Sequence, residues 1–154
     1  NRTIRETTIG RLLAEINSAD ISNVFIKPKS KSKLFTGFVA QTSSDILSLA
    51  SYSQKTELFV SEVVEWTSEY RVFICNSNIV GVRKYTDEGG SELDMNVVQD
   101  ALNAIEESNE RTNGYALDFG VLTNGKTALV EWNDGFALGS YGLEKEILTI
   151  TIYY

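Results

Sequence analysis

The chain has no histidine, one cysteine, one proline and one methionine among its 154 residues. Without histidine there is no Ser-His-Asp or Cys-His constellation, no histidine-bearing zinc site, and none of the side chain that most often acts as general base. Carboxylates, Lys, Arg, Tyr and a bound metal must carry any catalysis. A lone Cys75 excludes an internal disulfide and suits a reducing compartment, so a cytoplasmic protein is expected. Cys75 itself reads as a small buried apolar residue rather than a nucleophile. No apolar run approaches bilayer length and no signal peptide is visible, so no membrane partner is expected. A net charge of −7 argues against nucleic acid as a partner, because nonspecific binding needs phosphates neutralised by Lys and Arg. Asn rather than Met stands first, which leaves room for an upstream substrate lobe outside this chain.

What is present suits a small soluble protein: 42% hydrophobic and 23% charged residues, enough for one good core or two small lobes. Ile9, Leu12, Leu13 and Ile16 keep helical spacing from Thr8 to Ser18, with Thr7 or Thr8 as cap. Val24-Phe25-Ile26 reads as a strand, ended by Lys27-Pro28. A basic loop (Lys29, Ser30, Lys31, Ser32, Lys33) precedes a returning strand over Leu34–Ala40 and a helix from Ser43 or Ser44 to about Tyr52. Leu58–Trp66 is strand or extended hinge, Glu69–Tyr85 a hairpin, and Thr86–Ser91 a polar loop. Val97 to about Asn109 is a helix with no assigned chemistry, and Leu148–Tyr153 has the β-branched content of a strand. Helices mixed with mostly antiparallel hairpins give an α+β fold.

Two hairpins carry the chemistry. In YALDFGVLTNGKTALVEWN, Asn124-Gly125 predicts a two-residue turn with positive φ at both positions. Thr123 then faces Lys126, Asp118 falls opposite Glu131, and Asn133 shares their face. Directly opposed carboxylates destabilise a bare sheet. Two carboxylates and an amide oxygen on one face suit a hard cation such as Mg²⁺, which shares oxygen ligands with water and phosphates. The other face (Tyr115, Leu117, Phe119, Val121, Ala128, Val130, Trp132) reads as core. In the second hairpin, a three-residue loop at Asn76-Ser77-Asn78 sets Arg71 opposite Arg83, while a two-residue turn sets it opposite Lys84. Either pairing calls for a bridging anion such as phosphate or carboxylate, or for Glu62, Glu65 or Glu69 as ordinary surface partners. Lys27, with Lys29 and the serines of the loop beyond it, can reach phosphate oxygens, although the loop lacks the P-loop pattern and such a segment alone is more often a solvated loop.

In this order the motifs resemble the ATP-grasp superfamily from about Val24 to Gly142. VFIKP resembles the strand whose lysine, here Lys27, contacts nucleotide phosphates. LFVSEVVEWTSEYR resembles the adenine hinge, which implies that backbone groups of Glu62, Val63, Val64 and Glu65 meet the base and that Glu69 holds the ribose. LDFGVLTNGKTALVEWND resembles the hairpin that holds Mg²⁺ against the phosphates, through residues that are here Asp118, Glu131 and Asn133. EYRVFI…VGVRKY, with Arg71, Arg83 and Lys27, looks like a clade named for two arginines and a lysine, many of whose members are bacterial or phage proteins. Two positions depart from the wider family. Ala116 stands where D-alanine ligase-like members often carry an Arg, so that either Arg83 supplies the charge or the acceptor chemistry differs, and no lysine precedes Lys27.

The resemblance implies an ATP-grasp-like α+β fold, with a nucleotide site between a smaller clamping lobe (1–65) and a metal-binding lobe (66–154). It implies ATP and Mg²⁺ as cofactors, and Arg71 and Arg83 as catalytic residues holding the transferring phosphoryl. The activity implied is an ATP-dependent ligase that joins a small-molecule or peptide carboxylate to an amine, or less often a thiol, through an acylphosphate. The Gly135–Gly142 loop and Tyr141 border its substrate. A non-catalytic or incomplete Mg-ATP-binding module and a plain α+β interaction domain are the alternatives.

Overall fold

The computed structural model describes residues 3–16, 23–30, 34–86, 90–108 and 112–145. The expected strand at 148–153, residues 31–33 of the basic loop and residues 87–89 of the polar loop lie outside them. The chain divides into two compact units, Asn1–Val64 and Glu65–Tyr154. Each has its own four-stranded antiparallel sheet with helical cover, so the fold is α+β. No described helix is long and apolar enough to cross a membrane.

The first unit is a sheet in the order β1-β4-β2-β3, from Ile4–Thr8 (β1), Val24–Pro28 (β2), Phe38–Ala40 (β3) and Glu57–Glu62 (β4). Strand β1 was not foreseen, because IRETT shows no apolar alternation; it is held by its ladder with β4. Helix α1 (Ile9–Ile16) follows at once, and the Thr8 hydroxyl accepts from the Arg11 amide at 3.3 Å. Helix α2 is only Ser43–Leu47 and tightens into a 3₁₀ turn at Ser48–Ser51. Its cap is Thr42, one residue earlier than expected, in a capping box with Asp45. The expected strand Leu34–Ala40 shrinks to its last three residues. Ile9, Leu12, Ile26, Ile46, Leu49, Leu58 and Val60 form the core between these helices and one face of the sheet. By strand alternation Phe25, Lys27 and Phe59 take the opposite face.

The second unit orders its strands β6-β5-β7-β8: Trp66–Cys75 (β5), Asn78–Lys84 (β6), Gly114–Leu122 (β7) and Thr127–Asp134 (β8). Helix α3 (Met95–Glu106), capped by Asp94, buries Val98 and Leu102 against Val72, Ile74, Tyr115, Leu117 and Phe119. Seven such side chains removed from water, at roughly 1.5–3 kcal/mol each, make this the main support of the sheet. The face away from α3 is left for chemistry.

Candidate functional site

In the second unit the β7–β8 hairpin reaches its expected pairing by an unexpected route, and the β5–β6 hairpin takes the Arg83 rather than the Lys84 register. The β7–β8 turn has three residues, not two. Leu122 and Lys126 close it, with Leu122 N–H donating to Lys126 O at 2.9 Å. Gly125 takes φ +79 while Asn124 is not among the positive-φ residues; the Asn124 side chain instead accepts from the Lys126 amide at 3.0 Å. This geometry is a turn followed by one left-handed residue. It shifts the ladder by one, pairing Phe119 with Leu129 and Val121 with Thr127. A bulge between Asp118 and Phe119 then absorbs Val130 and restores Asp118 opposite Glu131. In consequence Thr127 and Leu129, not Ala128 and Val130, share the α3 side with Phe119 and Val121, and the expected core face is corrected at those two positions.

The β5–β6 hairpin mirrors this. Asn76 and Ser77, both at positive φ, make a two-residue turn that pairs Cys75 with Asn78. Left unbroken, that register would set Arg71 against residue 82. A bulge that absorbs Val80 returns Arg71 to Arg83.

Across the sheet these registers line up one row of four charges: Arg83 on β6, Arg71 on β5, Asp118 on β7 and Glu131 on β8. Alternation puts Glu69 and Asn133 on the same face. Arg71 Nε and Nη2 donate to the two Asp118 oxygens at 2.7 Å each, with both side chains under a tenth exposed. Hydrogen bonding to Asp118 raises the pKa of the Arg71 guanidinium above its ordinary value, against the opposing effect of burial. The expected neutralisers Glu62, Glu65 and Glu69 are therefore not what balances Arg71. Asn133 Nδ2 donates to Asp118 Oδ2 at 3.0 Å, and Glu131 is exposed at the row's end. Arg83 donates from Nε to the Gly142 carbonyl at 3.3 Å. The charge beside Asp118 thus comes from Arg71 rather than Arg83, and Ala116 lies buried in the next row, opposite Asn133.

The segment after β8 folds back over this face. Leu143 is buried against Phe73 and Ala116. Tyr141, at φ +45, lays its ring 4.7 Å from Arg71 Cζ and 4.9 Å from the Tyr85 ring. Tyr85 was missed as a site residue. Burial, then the charges of Asp118 and Glu69, keep its phenol protonated beyond the ordinary range. Its signal was available: it lies two residues past Arg83, on the same side of the strand.

In the first unit Lys27 is half-buried on the open sheet face, paired with Phe59. Lys29 is exposed and its Nζ binds Glu6 Oε2 at 2.6 Å. Glu62 Oε1 accepts from the Thr3 amide at 2.6 Å. Val63, Val64 and Glu65 form no regular element between β4 and β5.

Among the described residues no three His, Cys, Asp or Glu side chains gather as metal ligands. An ion on this face would have Asp118, Glu131 and the Asn133 amide oxygen as protein donors. All are hard oxygens, and the remaining positions would fall to water and phosphate, which fits Mg²⁺.

No curated protein matches the chain. Solved structures match in fold. A RimK domain protein ATP-grasp from Sphaerobacter thermophilus aligns with TM-score 0.68 at 12% identity, covering 98% of this chain and 59% of that one. D-alanine–D-alanine ligase from Bacillus anthracis gives 0.60 at 12%, covering 86% and 51%. The ATP-grasp ligase PsnB, solved with a minimal precursor, Mg and ADP, gives 0.56 at 12%, covering 97% and 53%. The chain therefore spans about half the length of these proteins. The ATP-grasp domain, R2K clade family 2, matches residues 1–149. Two small antiparallel units, a row of opposed charges and a match along nearly the whole chain agree, and the protein belongs to the R2K clade of ATP-grasp domains.

Proposed function

We propose that this chain is the nucleotide-binding and phosphoryl-transfer part of an ATP-dependent ligase joining a carboxylate to an amine or thiol. The observation that carries the reading is the row Arg83, Arg71, Asp118, Glu131 on the sheet face away from α3. It sets cations for phosphate beside anions for a metal. In this reading Lys27 and Lys29 belong to the clamping unit and meet phosphate oxygens, which requires Lys29 to release Glu6. Backbone groups of Glu62, Val63, Val64 and Glu65 take the base, and Glu69 takes the ribose. Asp118, Glu131 and Asn133 would hold Mg²⁺, which when bound neutralises charge on the phosphates.

The substrate carboxylate attacks the γ-phosphorus of ATP and ADP leaves, giving an acylphosphate. An amine or thiol then attacks the acyl carbon, inorganic phosphate leaves and the nucleophile's proton is lost. The chain's residues act by position and charge. Arg71 and Arg83 hold the transferring phosphoryl, a contact worth roughly 3 kcal/mol in the transition state. The ligase neighbours include one solved with a precursor and one named for D-alanine, which supports peptide or small-molecule acceptors.

A melting scan with ATP, with and without Mg²⁺, tests binding. Ligand near 100 times its dissociation constant adds about 2.7 kcal/mol, and no shift refutes the nucleotide site. ADP release on adding amino acids or peptides tests transfer. A second reading, Mg-ATP binding without transfer, is favoured by Ala116, which stands where D-alanine ligase-like members often carry an arginine. It predicts the melting shift with no ADP release from any acceptor.

A further inference from the structure

Asp118 is asked to do two things at once. The proposed function makes it a metal ligand, yet both its oxygens already accept from Arg71 at 2.7 Å, and Oδ2 also accepts from Asn133 Nδ2 at 3.0 Å. A divalent ion on those oxygens would sit beside a guanidinium where both side chains are buried. Like charges repel most strongly where water is excluded. The Asn133 amide would also have to present oxygen in place of nitrogen. Arg71 is further held by the Tyr141 ring at 4.7 Å.

Arg71 can leave Asp118 at low cost only by gaining another anion, and its planar fork matches two phosphate oxygens as well as it matches a carboxylate. Arg83, the next residue in the row, is the neighbouring cation for the same phosphate. We infer that Arg71 is an exchangeable counter-ion of Asp118, which couples metal binding to polyphosphate binding. Phosphate draws the guanidinium away and opens Asp118 to the metal; the metal takes Asp118 and frees the guanidinium for phosphate. Linkage makes the two effects equal in binding free energy. A divalent cation alone binds weakly because it must displace Arg71 without compensation.

The inference rests on the proposed metal role of Asp118, and the test separates the two. Mn²⁺ is titrated into the protein, with free Mn²⁺ read by electron paramagnetic resonance, in wild type, Arg71→Gln and Asp118→Asn. Arg71→Gln should bind Mn²⁺ alone more tightly than wild type by about tenfold, within the usual span of couplings between sites. Its melting temperature should fall, and Mn²⁺ should restore it while leaving wild type little changed. Adding tripolyphosphate, corrected for its own chelation of Mn²⁺, should tighten the ion in wild type more than in Arg71→Gln. Asp118→Asn should lose the ion in every condition.

Equal Mn²⁺ affinity in wild type and Arg71→Gln would overturn the counter-ion role while leaving the metal site standing. No bound Mn²⁺ in any protein, with or without tripolyphosphate, would overturn the metal site and the inference with it. Should Arg71→Gln fail to fold, Arg71→Lys keeps the charge without the fork. Its Mn²⁺ affinity should then exceed that of wild type by a smaller factor, and an unchanged affinity counts against the exchange.

Discussion

Arg71 and Asp118 face each other across β5 and β7, joined by two bonds of 2.7 Å, with under a tenth of either side chain exposed. Removing one member of a buried pair leaves the other charged and unpartnered, which typically costs about 3–5 kcal/mol. Asp118→Ala should therefore destabilise the second unit by about 3 kcal/mol in urea denaturation. Lost activity in that variant does not by itself report on a ligand role.

Glu131 is the cleaner probe, since it is exposed at the end of the same row. Glu131→Ala should keep a melting temperature within a few degrees of wild type, as surface substitutions usually do. It should lose the Mg²⁺-dependent part of the ATP-induced shift. A full shift in the purified variant would remove Glu131 from the metal set. Arg83→Glu should weaken ATP in calorimetry, because it sets a carboxylate where phosphate is expected.

The pairing of Asp118 with Glu131 was legible in the sequence, and that of Arg71 with Arg83 was one of the two registers it offered, the other setting Arg71 opposite Lys84; the turns behind them were not legible. Asn124-Gly125 invites a two-residue turn, and the chain instead makes a three-residue turn in which Gly125 alone is left-handed. One offset from the turn and one from the bulge at Val130 cancel. The second hairpin cancels in the same way, through Val80. A bulge depends on tertiary cover of the sheet, here by α3 and by Leu143, which a local pattern does not encode. This is why Asp118 and Glu131 were paired correctly while Ala128 and Val130 were given the wrong face. The Arg71–Asp118 bond was missed for a related reason: β5 and β7 are joined by a long connection through β6 and α3, so no turn reveals their register.

Two glycines of β7 and its turn should respond differently to the same change. Gly125 has φ +79 and open space around it, so Gly125→Ala should cost about 1 kcal/mol, the price of a left-handed alanine. Gly120 lies under the Trp66 ring, in ordinary strand conformation. Gly120→Ala must push that ring aside and should cost roughly 2 kcal/mol. Chemical denaturation of the two variants checks the order. A larger loss at Gly125 would mean that Trp66 yields freely.

Acid should weaken the first unit partly through Asp45. Its carboxylate accepts from the Thr42 amide and hydroxyl and from the Gln41 amide, which lowers its pKa below the ordinary 3.8. A lowered folded-state pKa means that the contribution is complete above about 3.8 and fades as pH falls through the folded value. The stability gap between wild type and Asp45→Ala should thus narrow in acid, in denaturation curves taken on both sides of that value. A gap that is constant with pH would show that the charge of the cap contributes nothing.

Tyr85 gives the alkaline counterpart and reports on the charged row. Its phenol is kept protonated above the ordinary 10.0 first by burial, then by Asp118 and Glu69; Arg71 opposes them and Tyr141 adds to them. A raised folded-state pKa favours the neutral form on folding, so this contribution is complete below about 10 and is lost as pH rises beyond it. Ultraviolet titration should show a tyrosinate step delayed toward unfolding in wild type and absent in Tyr85→Phe. Asp118→Asn removes one of the charges that raise it, so in that variant, if folded, the step should move to lower pH. A step that stays in place would mean that the Asp118 charge is screened from Tyr85, and that the ring beside Tyr141 is not electrostatically part of the site.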